Sequence, residues 1–354
     1  MAHIDGLLKI MMDQKASDLH LSAGSTPYFR VHGDMLPAQS GPLTHEDLKN
    51  LLFEILSEKQ KKDFVEKWEL DCAYEARGIG RFRCNIFMQK NGLGAVMRQI
   101  PTKILRLEDL NLPPSLYDLV SCERGLILVT GPTGSGKSTT LAALINYINQ
   151  HEKKHILTIE DPIEFVHANK ASLVNQREVT THTKSFANAL KAALREDPDV
   201  ILVGELRDLE TTQLAISAAE TGHVVFATMH TNGASKTLDR IIDMFPAGQQ
   251  KQIQSMLGES LRGVVSQMLI KKADGTGRVA AIEVLINNSA VANLIREGKT
   301  FQIPSVMQTN IKQGMLPLEM HMKQLVDGKL ITADQASEVL YSIGKKPILF
   351  AKVG

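Results

Sequence analysis

The chain has 354 residues, a length that favours two domains, and its 43% hydrophobic and 22% charged content is that of a soluble globular protein. With 40 basic against 39 acidic residues the net charge is +1, so no global charge draws it to nucleic acid or to an anionic bilayer, although a local basic patch stays open. Cys72, Cys84 and Cys122 are scattered without a C-x-x-C pair, which excludes a tetra-cysteine zinc site within one chain and reads as the reduced cysteines of a cytosolic protein. No apolar run approaches the ~20 residues of a membrane span. The first residues lack the basic and apolar regions of a signal peptide. Any membrane association is therefore expected to go through a partner or a surface.

Ile4, Leu7, Leu8 and Met11 mark one face of an amphipathic helix. Leu19 and Leu21, then Phe29 and Val31, alternate with polar neighbours and predict two short strands before a turn at Gly33-Asp34. Leu48, Leu51, Leu52 and Ile55 give a second helix, and Ser57-x-x-Gln60 is a capping box opening a third. Leu70, Cys72 and Tyr74, then Phe82, Cys84, Ile86 and Met88, alternate again, and Asn91-Gly92 signals a two-residue hairpin into residues 93–100. Residues 1–100 thus read as a small α+β domain, and Pro101 with Pro113-Pro114 brackets a linker over 101–117.

From about residue 118 apolar strands recur at 126–130, 156–159, 200–203 and 224–228, most of them separated by helices. That alternation predicts an α/β domain over 118–354, built on a mainly parallel sheet covered on both faces. Helices are expected at 184–196, 208–221 and around Leu238–Phe245, with a long one over 249–270, then a strand at 278–286. The part from 288 to the end is expected to be helical, at 290–297, 316–327 and, behind the capping box Thr332-x-x-Gln335, at 333–342.

Gly131-Pro132-Thr133-Gly134-Ser135-Gly136-Lys137-Ser138 is a complete phosphate-binding loop. It follows the apolar stretch 125–130 and precedes a helix carrying Leu141, Leu144, Ile145 and Ile148, so strand, glycine loop and helix stand in the order the motif requires. Backbone N–H groups and the helix N-terminus can then cradle phosphate. Lys137 reaches the β/γ-phosphates and the Ser138 hydroxyl can ligate Mg²⁺. Pro132, Thr133, Gly134, Ser135, Gly136, Lys137, Ser138 and Thr139 are the candidate ATP-binding residues.

Hydrolysis also needs a residue to orient or activate water, and such residues sit at the C-terminal ends of neighbouring strands. Strand 156–159 ends in Glu160-Asp161-Pro162-Ile163-Glu164, strand 200–203 in Gly204-Glu205-Leu206-Arg207-Asp208, and strand 224–228 leads to His230-Thr231-Asn232. Each has a plain alternative: carboxylates after a strand often cap the next helix, and a lone histidine is often a structural hydrogen-bonder. Around one phosphate loop they read together. Glu205 would hold Mg²⁺ through water, Gly204 standing where an aspartate is usual. Glu164 is the candidate general base, and His230 would sense the γ-phosphate or donate to it.

These residues carry a resemblance. Leu157 through Glu164 resembles the "Asp box" of the type II/IV secretion ATPases, Glu196 through Asp208 their atypical Walker B, and Gly222 through Arg240 their "His box". The likeness runs from Ala16-Ser17-Asp18-Leu19-His20-Leu21 to Gly298-Lys299, and within the superfamily it is strongest to the retraction ATPases of type IV pili. It implies a PAS-like N-terminal domain joined to a RecA-like P-loop ATPase domain, a homohexamer in the cytoplasm at the inner membrane, and a platform protein of the pilus base as partner. An accessory retraction ATPase, or a related secretion or pilus-assembly ATPase, is the alternative, although the extension and secretion relatives usually carry a longer N-terminal region and a tetra-cysteine element. Ala290 through Glu297 resembles the family's retraction motif, but Ala292 stands where that motif has its first arginine. A RecA-like nucleic-acid translocase would need a basic stripe with stacking aromatics, and the one Trp and five Tyr do not cluster near basic runs.

The resemblance further implies arginines of the N-terminal domain on the nucleotide's phosphates. A hairpin turning at Asn91-Gly92 would set Asn85 opposite Arg98 with Arg83 diagonal to it, so Arg81, Arg83 and Arg98 share one sheet face. Three like charges there are either a solvated face or a set of arginine fingers for the γ-phosphate.

Overall fold

A computed structural model of the chain describes residues 2–31, 33–100 and 104–345. Residues 101–103, where the expected linker begins, and 346–354 of the expected helical part lie outside the described residues. Two compact units divide it: Met1–Lys103 together with Pro162–Val166, and Ile104–Asp161 together with His167–Gly354. Residues 162–166, expected in the second domain, group with the first.

The first unit runs α1 (Asp5–Asp13), β1 (Asp18–Ser22), β2 (Tyr28–Val31), β3 (Asp34–Pro37), α2 (His45–Phe53), α3 (Glu58–Lys67), β4 (Glu69–Ala76), β5 (Gly80–Gln89) and β6 (Gly92–Ile100). Its strands form an antiparallel sheet in the order β3-β2-β1-β6-β5-β4. Alternation puts Leu19, Leu21, Phe29, Phe82, Cys84 and Met97 on one face, where Ile4, Leu8 and Met11 of α1 and Leu48 and Leu52 of α2 close the core. Both capping boxes form: Thr44 with Asp47 opens α2, and Ser57 with Gln60 opens α3. The expected turn at Gly33-Asp34 is followed at once by β3, which pairs back on β2 from Val31↔Asp34 to Tyr28↔Pro37.

The hairpin register differs from the expected one by two residues. Gln89 pairs with Gly92, so Lys90 and Asn91 form the turn and Gly92 follows it at φ +122°. Lys90 and Asn91 are not at positive φ, unlike the corners of a type I′ turn; the glycine supplies positive φ just after the corner instead. Arg83 therefore faces Arg98 directly, and Asn85 faces Val96. A shift of two keeps every side chain on its face, so Arg81, Arg83 and Arg98 still share one.

The second unit runs α4 (Ser115–Val120), β7 (Gly125–Thr130), α5 (Lys137–His151), β8 (His155–Glu160), β9 (Leu173–Glu178), α6 (Phe186–Ala193), β10 (Val200–Val203), α7 (Leu209–Glu220), β11 (Val224–Met229), α8 (Ala234–Asp243), α9 (Ala247–Ser260), β12 (Leu261–Lys271), β13 (Arg278–Ile286), α10 (Ser289–Arg296), α11 (Ile303–Thr309), α12 (Leu318–Asp327) and α13 (Ala333–Ser342). The sheet order is β13-β12-β7-β11-β10-β8-β9, parallel throughout except for β13 at one edge. Every residue of β7, β10 and β11 is buried, as expected of a sheet covered on both faces.

One element was expected otherwise. The helix over 249–270 stops at Ser260, and 261–271 is β12, a strand between β7 and β13. Val264 and Val265, both β-branched, favour the extended chain. Gly263 sits where a Cβ would come within 2.7 Å of the Leu285 carbonyl, so close strand packing selects glycine there. Strand β9 and helix α11 were not foreseen. Helix α10, which packs against α9, buries Val291, Ala292 and Ile295.

Phe226, on β11 in the middle of the sheet, is fully buried among Ile127, Leu144, Leu202 and Val265. Phe226→Ala should lower the unfolding free energy of the second unit by about 3–5 kcal/mol. Denaturant titration measures this, and a loss below about 1 kcal/mol would contradict a well-packed site.

Candidate nucleotide-binding site

Parallel pairing carries the polar strand ends to one edge. Thr130, the last residue of β7, pairs with Met229 of β11, while Val203 of β10 pairs with both Ala227 of β11 and Ile159 of β8. The phosphate loop, His230, Gly204-Glu205 and Glu160 therefore all emerge from the same side of the sheet, where open α/β sheets bind ligands.

The loop is held from behind by a residue the sequence reading placed in a helix. Gln267, 2% exposed on β12, donates its Nε2–H to the Ser135 carbonyl at 2.6 Å and accepts the Thr140 hydroxyl on Oε1 at 2.8 Å. A Cβ on Gly131 would come within 2.1 Å of the Gln267 carbonyl, and Gly131 has φ +142°; only glycine fits. Gly136 ends the loop at φ +88° and opens α5. The Ser135 Oγ is buried in the loop without a hydrogen-bond partner, close to Gly131. Ser266, the neighbour of Gln267, accepts the Gly233 N–H at 2.9 Å, and Glu283 of β13 accepts the Ala234 N–H at 2.8 Å. Adjacent residues of β12 thus brace the phosphate loop on one side and the start of α8 on the other.

Lys137 is buried, its Nζ donating to the carbonyls of Gly131 at 2.8 Å and Pro132 at 3.1 Å. It also lies 3.4 Å from Nδ1 of His230. A lysine ammonium only donates, so Nδ1 accepts and the ring proton sits on Nε2. Nε2 lies 3.4 Å from Glu205 Oε1, and the other Glu205 oxygen accepts from Arg207 Nε at 2.7 Å. Lys137, His230, Glu205 and Arg207 stand in one row: Lys137 bonds His230, Arg207 bonds Glu205, and His230 and Glu205 approach within 3.4 Å, with Thr133 Oγ1 3.5 Å from the same His230 nitrogen that faces Lys137. Glu160, at the end of β8, accepts from Thr158 at 2.6 Å and Gln176 at 3.2 Å; it is bonded into the sheet edge.

Glu164 falls in the segment 162–166 and is exposed in the first unit, as are Arg83 and Arg98; Arg81 is half-buried there. Arg98 Nε bonds Asp18 Oδ1 at 2.7 Å, and Arg83 Nε lies 4.0 Å from Asp71 Oδ1. Acidic neighbours therefore offset part of the like-charge cost of the arginine face. Asp208, whose region could have been purely functional, caps α7 by accepting the Thr211 N–H at 2.8 Å.

A residue buried against the loop is the sharpest check on this geometry. Gln267→Leu leaves the Ser135 carbonyl and the Thr140 hydroxyl unpaired, and should weaken nucleotide binding roughly 10- to 100-fold, the equivalent of ~1–3 kcal/mol for a buried polar group left without a partner. Calorimetric titration with ADP reads it; an unaltered affinity would show that the loop keeps its shape without Gln267.

Known proteins resemble this chain along nearly its whole length. The model of the family described as "Type II/IV secretion system protein" matches residues 2–297. The type IV pilus retraction ATPase PilT of Pseudomonas aeruginosa is 53% identical over 335 residues, covering 95% of this chain and 97% of that one. A twitching motility protein of Neisseria gonorrhoeae is 52% identical over 93% of this chain and 88% of its own length. A crystal structure of the pilus retraction motor PilT with bound ADP superposes with a TM-score of 0.89 at 47% identity, covering 96% of each chain. With its phosphate loop, strand-end acids and histidine in one arrangement on an α/β RecA-like sheet, the chain belongs to the type II/IV secretion ATPase family.

Proposed function

We infer that this chain is an ATP-hydrolysing motor that powers type IV pilus retraction and so twitching motility. The observation that carries the reading is the chain Lys137–His230–Glu205–Arg207 at the mouth of a preformed phosphate loop; the likeness to PilT along nearly the whole chain supplies the kind of work. Pro132 through Thr139 hold the triphosphate, and Lys137 exchanges its two loop carbonyls for β/γ-phosphate oxygens. Ser138 and, through water, Glu205 are the residues that would hold Mg²⁺. A site of one hydroxyl and one carboxylate suits an ion that takes its remaining ligands from phosphate and water. When bound, the ion neutralises charge on the transferred phosphoryl group.

Glu164 is the general base, accepting the proton of the attacking water, and His230, already bonded to Lys137, reports on the γ-phosphate to Glu205. Arg81, Arg83 and Arg98 stabilise phosphate charge. The working form is a homohexamer in the cytoplasm, peripheral at the inner membrane, acting on a platform protein of the pilus base. No described helix is long and apolar enough to cross a membrane. A second reading, an accessory retraction ATPase, draws on Ala292, which stands where the retraction motif has an arginine.

Deleting the gene should leave surplus surface pili and abolish twitching; bald cells would indicate pilus extension instead. Glu164→Gln should bind ATP with near-normal affinity while turnover falls by at least about 100-fold, because an amide does not accept the proton. Wild-type hydrolysis in that variant would move the base elsewhere.

A further inference from the structure

Across the first unit's sheet, one ladder row on the polar face reads Arg30, Asp18, Arg98, Arg83, from β2 through β1 and β6 to β5, each paired directly with the next. Three arginines and one acid would repel, yet the acid is the buried member: Asp18 is 2% exposed, whereas the Arg98 side chain is 69% exposed. Asp18 is fully engaged. Oδ2 accepts the Ser17 hydroxyl at 2.7 Å and lies 3.9 Å from Arg30 Nε, and Oδ1 accepts Arg98 Nε–H at 2.7 Å. Burial opposes its ionisation, but the Ser17 hydroxyl and Arg98 outweigh that and hold the carboxyl below its ordinary range. Arg30 is held a second way, donating from Nη1 to the Gly33 carbonyl at 2.9 Å.

The geometry at Arg98 is specific. Its Nε donates to Asp18 while the side chain stays 69% exposed, so the guanidinium is held at one edge and its two terminal nitrogens, which can take an anion's oxygens two at a time, are not spent on Asp18. The partner opposite, Arg83, has only a 4.0 Å approach to Asp71. The row thus keeps two guanidinium groups side by side, one of them anchored by a carboxylate that itself does not reach the surface.

We propose that Asp18 is a positioning residue for the reaction: it holds Arg98 by Nε so that its outer edge, next to Arg83, is presented in advance to the phosphates of the nucleotide. This rests on the reading above that Arg98 meets phosphate. A side chain fixed in place loses less entropy when charge develops than one free to rotate, so the benefit falls on turnover more than on binding.

The test uses the full chain and steady-state ATP hydrolysis of Asp18→Asn, Arg98→Ala, Arg98→Lys and the double variant Asp18→Asn/Arg98→Ala. Arg98→Ala should lower kcat at least about tenfold. Asp18→Asn should lower kcat by a similar factor with KM moved less than about twofold, and the double variant should be no slower than Arg98→Ala alone. Arg98→Lys keeps the charge but has no Nε to give Asp18, so it should lose as much as Asp18→Asn; it decides the matter if Asp18→Asn does not fold. Wild-type kcat in Asp18→Asn or Arg98→Lys while Arg98→Ala is slow would overturn the positioning role and leave the arginine reading standing. Losses that multiply in the double variant would also overturn it, since Asp18 would then act independently of Arg98. Wild-type kcat in Arg98→Ala would overturn the arginine reading itself, and this proposal with it.

Discussion

Burial of β7 on both faces governs the arrangement of this chain's chemistry. A strand with no polar side chain facing solvent must satisfy its backbone through neighbours on both sides, and here β11 and β12 both run parallel to it. Parallel neighbours deliver their C-terminal ends to one edge. The loop after β7, the histidine after β11 and the glutamate after β10 are brought together by that pairing before any of their side chains interact. The loop then has a second constraint: Gly131 lies against the β12 backbone too closely for any Cβ, and Gln267 ties Ser135 and Thr140 to the same strand. The phosphate cradle is therefore tied to the core through β12.

Charge is handled in the same way at the site's mouth. Lys137 is buried with loop carbonyls as its partners, so its ammonium has somewhere to be when no phosphate is near. A buried cation without such partners would carry a large desolvation cost. The contact to Lys137 makes Nδ1 of His230 an acceptor, and Glu205, held by Arg207, lies 3.4 Å from Nε2. A change at the lysine has a direct route to the acid at the end of β10.

The polar face of the first unit repeats the theme with opposite sign. There the excess is positive, and the compensating acid, Asp18, is placed beneath the surface, paired across strands with Arg30 and Arg98. Sheet alternation allows this because the next row of the ladder, Leu19 paired with Phe29, faces the core on the opposite side. Repulsion between Arg83 and Arg98 is relieved without covering either one.

Local signals sufficed for much of this. The glycine loop between an apolar run and a helical period, the capping boxes at Ser57 and Thr332, and the acids and histidine at the ends of β8, β10 and β11 are legible because each depends on residues within a few positions of one another. The mainly parallel sheet followed from the rhythm of apolar strands and its RecA-like character from the family resemblance, and Arg81, Arg83 and Arg98 fell on one face because the period of a strand is two whatever the register. What depended on distant chain segments was decided by the tertiary structure. Residues 261–271 became a strand only because β7 and β13 offered both of their edges to it, so Gln267 and Ser266, which brace the loop and α8, carried no local mark of their role. The hairpin register was fixed by where glycine could take positive φ, and the partnership of Asp18 with Arg98, 80 residues apart, exists only because β1 lies beside β6. Short-range sequence specifies which chemistry is present; pairing between strands far apart in the chain decides which groups can act together.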